Sequence, residues 1–168
     1  MSAASPVSTR TGAAAAAEHG QAPVAPIIVA VDASTAGRAA AEEAVILAAE
    51  LEAPLVFVYV RRGPPPFLGA PFYQRWLSTE MERARRILDR ALRIARVGEV
   101  EAEAEILEGS PQRRIVEFAR DRAAQLVVLG SRRRRLRRSI ACAITRTADR
   151  PVVVAARQPN GLALAHLH

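Results

Sequence analysis

Four short apolar runs punctuate the chain: "PIIVAVD" (26–32), "PLVFVYV" (54–60), "AQLVVLG" (124–130) and "PVVVAA" (151–156). Near-continuous β-branched runs of this length belong to strands covered on both faces of a parallel sheet. Parallel strands cannot be joined by tight turns, so each must be followed by a crossover, which is usually a helix. Helical spacing does follow: Ala40, Ala44, Leu47, Ala48 and Leu51 after the first run, Leu77, Met81, Ala84, Leu88, Ala91 and Ala95 after the second. The alternation predicts an α/β fold, an open five-stranded parallel sheet of order 3-2-1-4-5 with helices on both faces, Rossmann-like in its winding.

The remaining strand reads differently. "EVEAEAEI" (99–106) places Val100, Ala102, Ala104 and Ile106 on one face and Glu99, Glu101, Glu103 and Glu105 on the other. Such a strand has one wet face and belongs near an edge, with its glutamates solvated. Ser110 and Pro111 are then placed as N-cap and first helical residue, ahead of a helix with Ile115, Val116 and Ala119 on its buried side. Ser139 is placed to cap the last helix, on which Ile140, Ala143, Ile144 and Thr147 share a side. The Pro-rich stretch 61–75 reads as an irregular linker, with Thr79 and Glu82 spaced as a capping box for the helix beyond it. Phe67, Phe72 and Tyr73 in that linker are anchors for a long loop, or a lid over a ligand.

The 168 residues can bury one sizeable core, and half of them are hydrophobic. Residues 1–25 are expected to form a disordered Ala-rich tail, 26–157 the folded body and 158–168 a C-terminal tail. No stretch approaches the length needed to cross a bilayer, and neither a secretory leader nor a cysteine pair is legible. A soluble, cytoplasmic protein is therefore expected.

Composition removes whole classes of chemistry. Every basic residue apart from histidine is an arginine, so no lysine is present for a P-loop or a Schiff base. His19, His166 and His168 lie in the expected tails, which argues against Ser-His-Asp, Cys-His and histidine-metal sites in the body. Cys142 reads as a small buried hydrophobe. No catalytic residue and no metal site is expected.

What remains lies at the strand ends. Ligands of open α/β sheets bind beyond the carboxyl ends of the strands, where the winding reverses, and "VDAST" after the first strand and "GSRRRR" after the fourth both qualify. Asp32 there could accept hydrogen bonds from a ribose or an adenine amino group, or tie down its own turn. Arg132, Arg133, Arg134, Arg135, Arg137 and Arg138 account for six of the seven net positive charges. Charge runs are mostly solvated surface, but this one enters a helix N-terminus, where unpaired N–H groups and the dipole favour phosphate. No aromatics interleave to stack bases, so nucleic-acid binding there would be weakly selective and salt dependent.

Taken together, "IIVAVDAST", "LVFVYV", "EGSP", "LVVLGS" and "SIACAITRTADRPVVVA" resemble, in order and spacing, the universal stress proteins, a family related to the adenine nucleotide alpha-hydrolases, over Pro26 to Ala156. The resemblance implies a non-enzymatic stress-response module that binds ATP, ADP or AMP. Asp32 would meet adenine or ribose, Val60 would form the adenine wall, and Leu129 and Gly130 the floor. Ala33, Ser131, Arg133, Arg138, Ser139 and Ile140 would complete the site. Nucleotide-binding relatives carry glycines where this chain has Arg133 and Arg138, and their phosphate loop is five residues longer. Arginine in a left-handed backbone costs about 1 kcal/mol or more, so the phosphate loop here is a degenerate, Arg-rich one. The resemblance also implies a homodimer through the fifth strand, Val152, Val153, Val154 and Ala155. An alternative is a member that has lost nucleotide binding and uses its arginines on an acidic protein, a membrane surface or RNA; a third is an enzyme of the alpha-hydrolase group.

Overall fold

The computed structural model describes residues 24–64, 69–131, 140–156 and 164–167. Ten elements follow one another as β1 (Ile27–Ala30), α1 (Thr35–Leu51), β2 (Leu55–Arg61), α2 (Ala70–Val97), β3 (Ala102–Glu108), α3 (Pro111–Asp121), β4 (Leu126–Ser131), α4 (Ile140–Thr147), β5 (Val152–Ala156) and β6 (Leu164–Leu167). The first five strands are parallel and stand in the expected order, β3-β2-β1-β4-β5. The crossovers place α1 and α2 on one face, and α3 and α4 on the other.

Each strand residue chooses its core by parity. Ile27, Val29, Leu55, Phe57 and Val128 pack with Ala40, Ala44, Ala84, Leu88 and Ala95 of α1 and α2. Ile28, Val56, Val58 and Val127 pack with Ile115, Ala119 and Ile144 of α3 and α4. Ile27, Ile28 and Val29 are all fully buried, as a central parallel strand requires. The alanines of α1 let its backbone approach the sheet closely, in keeping with so few aromatics. β3 lies at the edge, and Arg122 from the end of α3 clasps Glu103 at 2.7 Å and Glu105 at 3.1 Å.

Four details differ from expectation. The helix α2 begins at Ala70, inside the stretch read as an irregular linker, because a proline in the first helical turn gives up an N–H that has no intrahelical partner anyway. Thr79 consequently sits mid-helix, donating to the Arg75 carbonyl at 3.0 Å, and caps nothing. Tyr73 stacks on Trp76 with ring centroids 6.2 Å apart, and the Arg61 guanidinium lies 6.0 Å from the Trp76 ring while pairing with Glu108. On α4 the buried residues are Ala141 and Ile144, whereas Ile140 is 41% exposed.

The largest departure is at the other edge. β6 lies within the expected C-terminal tail and pairs antiparallel with β5, Val153 opposite Leu167 and Ala156 opposite Leu164. His166 therefore belongs to the sheet, but three strand spacings from β1, on the order of 14 Å. The β5 edge expected to receive a second chain is covered in this chain by β6. Among the described residues no helix is long and apolar enough to cross a membrane.

Candidate functional site

A cleft of about 510 Å3 opens at the carboxyl ends of β1, β2 and β4. The winding explains its position: β1 continues through α1 to β2 on one side and neighbours β4 on the other, so the connections leave in opposite directions and part over β1. Its floor is Ala30, Val31 and the first turn of α1. Val58 and Val60 stand on one side, and Leu129 and Gly130 on the other.

Asp32 lines the cleft just after β1. Its Oδ1 accepts the Ser34 amide at 2.9 Å and also the Ser34 hydroxyl, while that hydroxyl accepts the Gly37 amide at 3.1 Å as the N-cap of α1. The carboxylate thus ties down its own turn. Oδ2 has no hydrogen bond among the described residues and Asp32 is exposed along the cleft, so the turn reading holds on Oδ1 and Oδ2 is left as an available acceptor. Two glycines permit the arrangement. A Cβ on Gly37 would lie 2.5 Å from Asp32 Oδ1, and one on Gly130 2.2 Å from the Ala36 carbonyl oxygen, both below any contact a real Cβ makes.

Of the residues singled out from sequence, Asp32, Ala33, Val60, Leu129, Gly130 and Ile140 all line the cleft. Ser131 ends β4, its backbone paired in register with Ala156. Arg132, Arg133, Arg134, Arg135, Arg137, Arg138 and Ser139 lie outside the described residues, between Ser131 and the start of α4. Cys142 is half-buried on α4 and is not part of the lining, nor are Phe72 and Tyr73.

Several lining residues were not anticipated: Tyr59, Arg62, Arg83, Pro111, Ile115 and Ala141. Arg62 follows β2 directly, so the strand-end rule that finds Asp32 also finds it; Arg83 and Ile115 come from helices and carry no such signal. Tyr59 is nearly buried; burial first, and then the negative charge of Glu80, push its phenol above the ordinary range. It therefore stays a neutral donor. Glu80 lies 3.8 Å from Arg83, which is more than half exposed, and Arg62 makes no ion pair among the described residues. Asp32, Arg62 and Arg83 are the charged residues of the described lining, and Glu80 beside Arg83 leaves Arg62 as the cation without an ion pair among the described residues.

Chemically, this is a surface for binding. Branched aliphatic walls suit a flat apolar ring, one carboxylate oxygen can accept from hydroxyl or amino groups, and guanidinium groups suit anions or a π face. Among the described residues no cluster of three or more His, Cys, Asp or Glu side chains could hold a metal ion.

The comparisons with known proteins converge on one family. The model of the universal stress protein family matches residues 24–156. A universal stress protein of Methanocaldococcus jannaschii is 32% identical over 136 residues, covering 76% of this chain and 79% of the relative. Among solved structures, a universal stress protein from Archaeoglobus fulgidus superposes with a TM-score of 0.65 at 26% identity, covering 77% of this chain and 96% of that one. The structure of the Archaeoglobus fulgidus protein in complex with dAMP gives 0.62 at 26% identity, covering 77% and 95%. With the sheet order, the cleft at its winding reversal and a match spanning nearly the whole body, the chain belongs to the universal stress protein family.

Proposed function

We propose that the chain binds an adenine nucleotide in the cleft over β1, β2 and β4 and acts through occupancy, not turnover. The observation that carries this reading is Asp32 Oδ2, without a hydrogen bond among the described residues, in the lining of an aliphatic-walled cleft of about 510 Å3. The similar Archaeoglobus fulgidus protein solved with dAMP supports the adenine class. Adenine rests between Val60 and Leu129, the ribose hydroxyls donate to Asp32, and the phosphates run past Gly130 toward Ile140 and the arginine-bearing segment 132–138. Arg133, Arg138 and Ser139 would there replace a glycine cradle with side-chain donors. Ala33 and Ser131 frame the ribose and phosphate ends.

Neither histidine, lysine nor cysteine is among the described lining residues, which supports a module that binds and releases ATP, ADP or AMP unchanged. Bound ligand biases the conformation of whatever contacts it, and so the surface offered to a partner in a cytoplasmic stress response. Equilibrium dialysis of nucleotide-stripped protein against AMP, ADP and ATP tests the reading: saturable binding at one site per chain, with the ligand recovered intact, is expected. A ligand recovered as a hydrolysed product would make the protein an enzyme.

The arginines at two positions where glycines are expected favour a second reading, a nucleotide-free interaction module that contacts an acidic surface or RNA through residues 132–138. Absence of nucleotide binding together with salt-sensitive binding of a polyanion would select it. In either reading β5, Val152 to Ala155, is the edge through which two copies would pair when β6 does not occupy it.

A further inference from the structure

The β5 edge is occupied within the chain. β6 pairs with it residue for residue, Val153 with Leu167, Val154 with His166, Ala155 with Ala165 and Ala156 with Leu164. Without β6 the outermost strand would be β5, an apolar strand whose Val152, Val153 and Ala155 are almost fully buried. An exposed apolar edge of this kind is a template for another strand. The strand that closes it is antiparallel, whereas the five strands inside it are parallel.

That geometry is also the geometry of self-pairing. Two β5 strands related by a two-fold axis run antiparallel, and a two-fold interface is self-complementary by construction. β6 and a second copy's β5 would therefore use the same row of β5 N–H and C=O groups, in the same direction, and cannot do so together. We propose that residues 164–167 are an edge cap that competes with a second copy of this chain for β5, so that the C-terminal strand sets the oligomeric state. The inference rests on the reading that two copies pair through β5.

The competition is unequal at low concentration. Seven residues connect β5 to β6, and a short tether gives an effective local concentration on the order of millimolar. A second copy at micromolar concentration loses to it. The cap is also short, four residues against the five of β5, so modest changes release it.

The test uses the full chain. Successive residues of a strand aim their N–H groups at opposite edges, so the double substitution Ala165→Pro/His166→Pro removes a donor to β5 in whichever register applies. Sedimentation velocity from about 1 to 100 µM, well below the tethered concentration, is run on wild type and variant. Hydrogen exchange of 152–156 is followed alongside, and circular dichroism checks that the body stays folded. The expected result is a monomeric wild type with protected β5 amides, and a variant that dimerises at least tenfold more tightly, its β5 amides protected only in the dimer. Equal dimerisation of both proteins would overturn the cap and leave the β5 dimer standing. A variant that stays monomeric over the whole range would overturn the cap and the dimer together.

Discussion

Asp32 ties its own turn with Oδ1, and in the proposed function offers Oδ2 to the ligand; substitution can separate the two. Asparagine keeps a carbonyl oxygen for the Ser34 amide but loses the charge; alanine loses both. Asp32→Ala should lower unfolding free energy by about 1 kcal/mol, the scale of a lost capping or turn hydrogen bond, while Asp32→Asn stays close to wild type. Urea titration of the three proteins checks it. Gly130 is constrained by space: its Cβ would meet the Ala36 carbonyl at 2.2 Å, so Gly130→Ala must push α1 off β4. A loss of about 1–3 kcal/mol is expected, together with weaker nucleotide binding, because the same first turn of α1 floors the cleft. Asp32 was legible in sequence from its place at the end of a buried run. The contact that demands Gly130 was not, because it joins residues 94 positions apart through the winding of the chain.

The elements carry their own lesson about legibility. Runs such as "IIVA" and "LVVL" announce strands because burial on both faces leaves no polar position. The start of α2 was hidden because proline marks a break in most contexts, whereas Pro71 stands in the first turn. β6 was hidden because four residues with little alternation take their conformation from β5, not from themselves. Within α1, Glu43 runs against the helix's buried alanine face. It is 7% exposed, and burial, helped by the charge of Glu50, raises its carboxyl above the ordinary value of 4.5. A raised carboxyl contributes stability fully below the unfolded value, and that contribution is lost as pH rises through the folded one. Glu43→Gln should therefore stabilise the protein at pH 7, with the gain fading toward pH 4, as denaturant midpoints at the two pH values would reveal. An equal gain at both pH values would mean that charge burial is not its cause.

At the scale of the molecule, two groups of cations are separated along the chain. Arg62 and Arg83 stand on the β2 side, and the segment bearing Arg132 to Arg138 follows β4. If adenine faces β2 and the phosphates face β4, the two groups act on different parts of the ligand. Arg62→Ala with Arg83→Ala should weaken adenosine and ATP alike, by about three- to tenfold, the range of a cation–π or single hydrogen-bond contact. Replacing Arg133 and Arg138 by alanine should weaken ATP and leave adenosine unchanged; competition binding with the two ligands distinguishes these patterns. Six of the residues singled out from strand ends and from the family resemblance do line one cleft, whereas the lining from α2 and α3 depended on crossovers that no local pattern encodes. The central claim is that this cleft holds an adenine nucleotide on Asp32. Calorimetric titration of ATP into nucleotide-stripped wild type and Asp32→Ala at physiological salt tests it most directly. Saturable binding in the wild type that falls at least tenfold in the variant is predicted; no binding, or binding indifferent to Asp32, would contradict it.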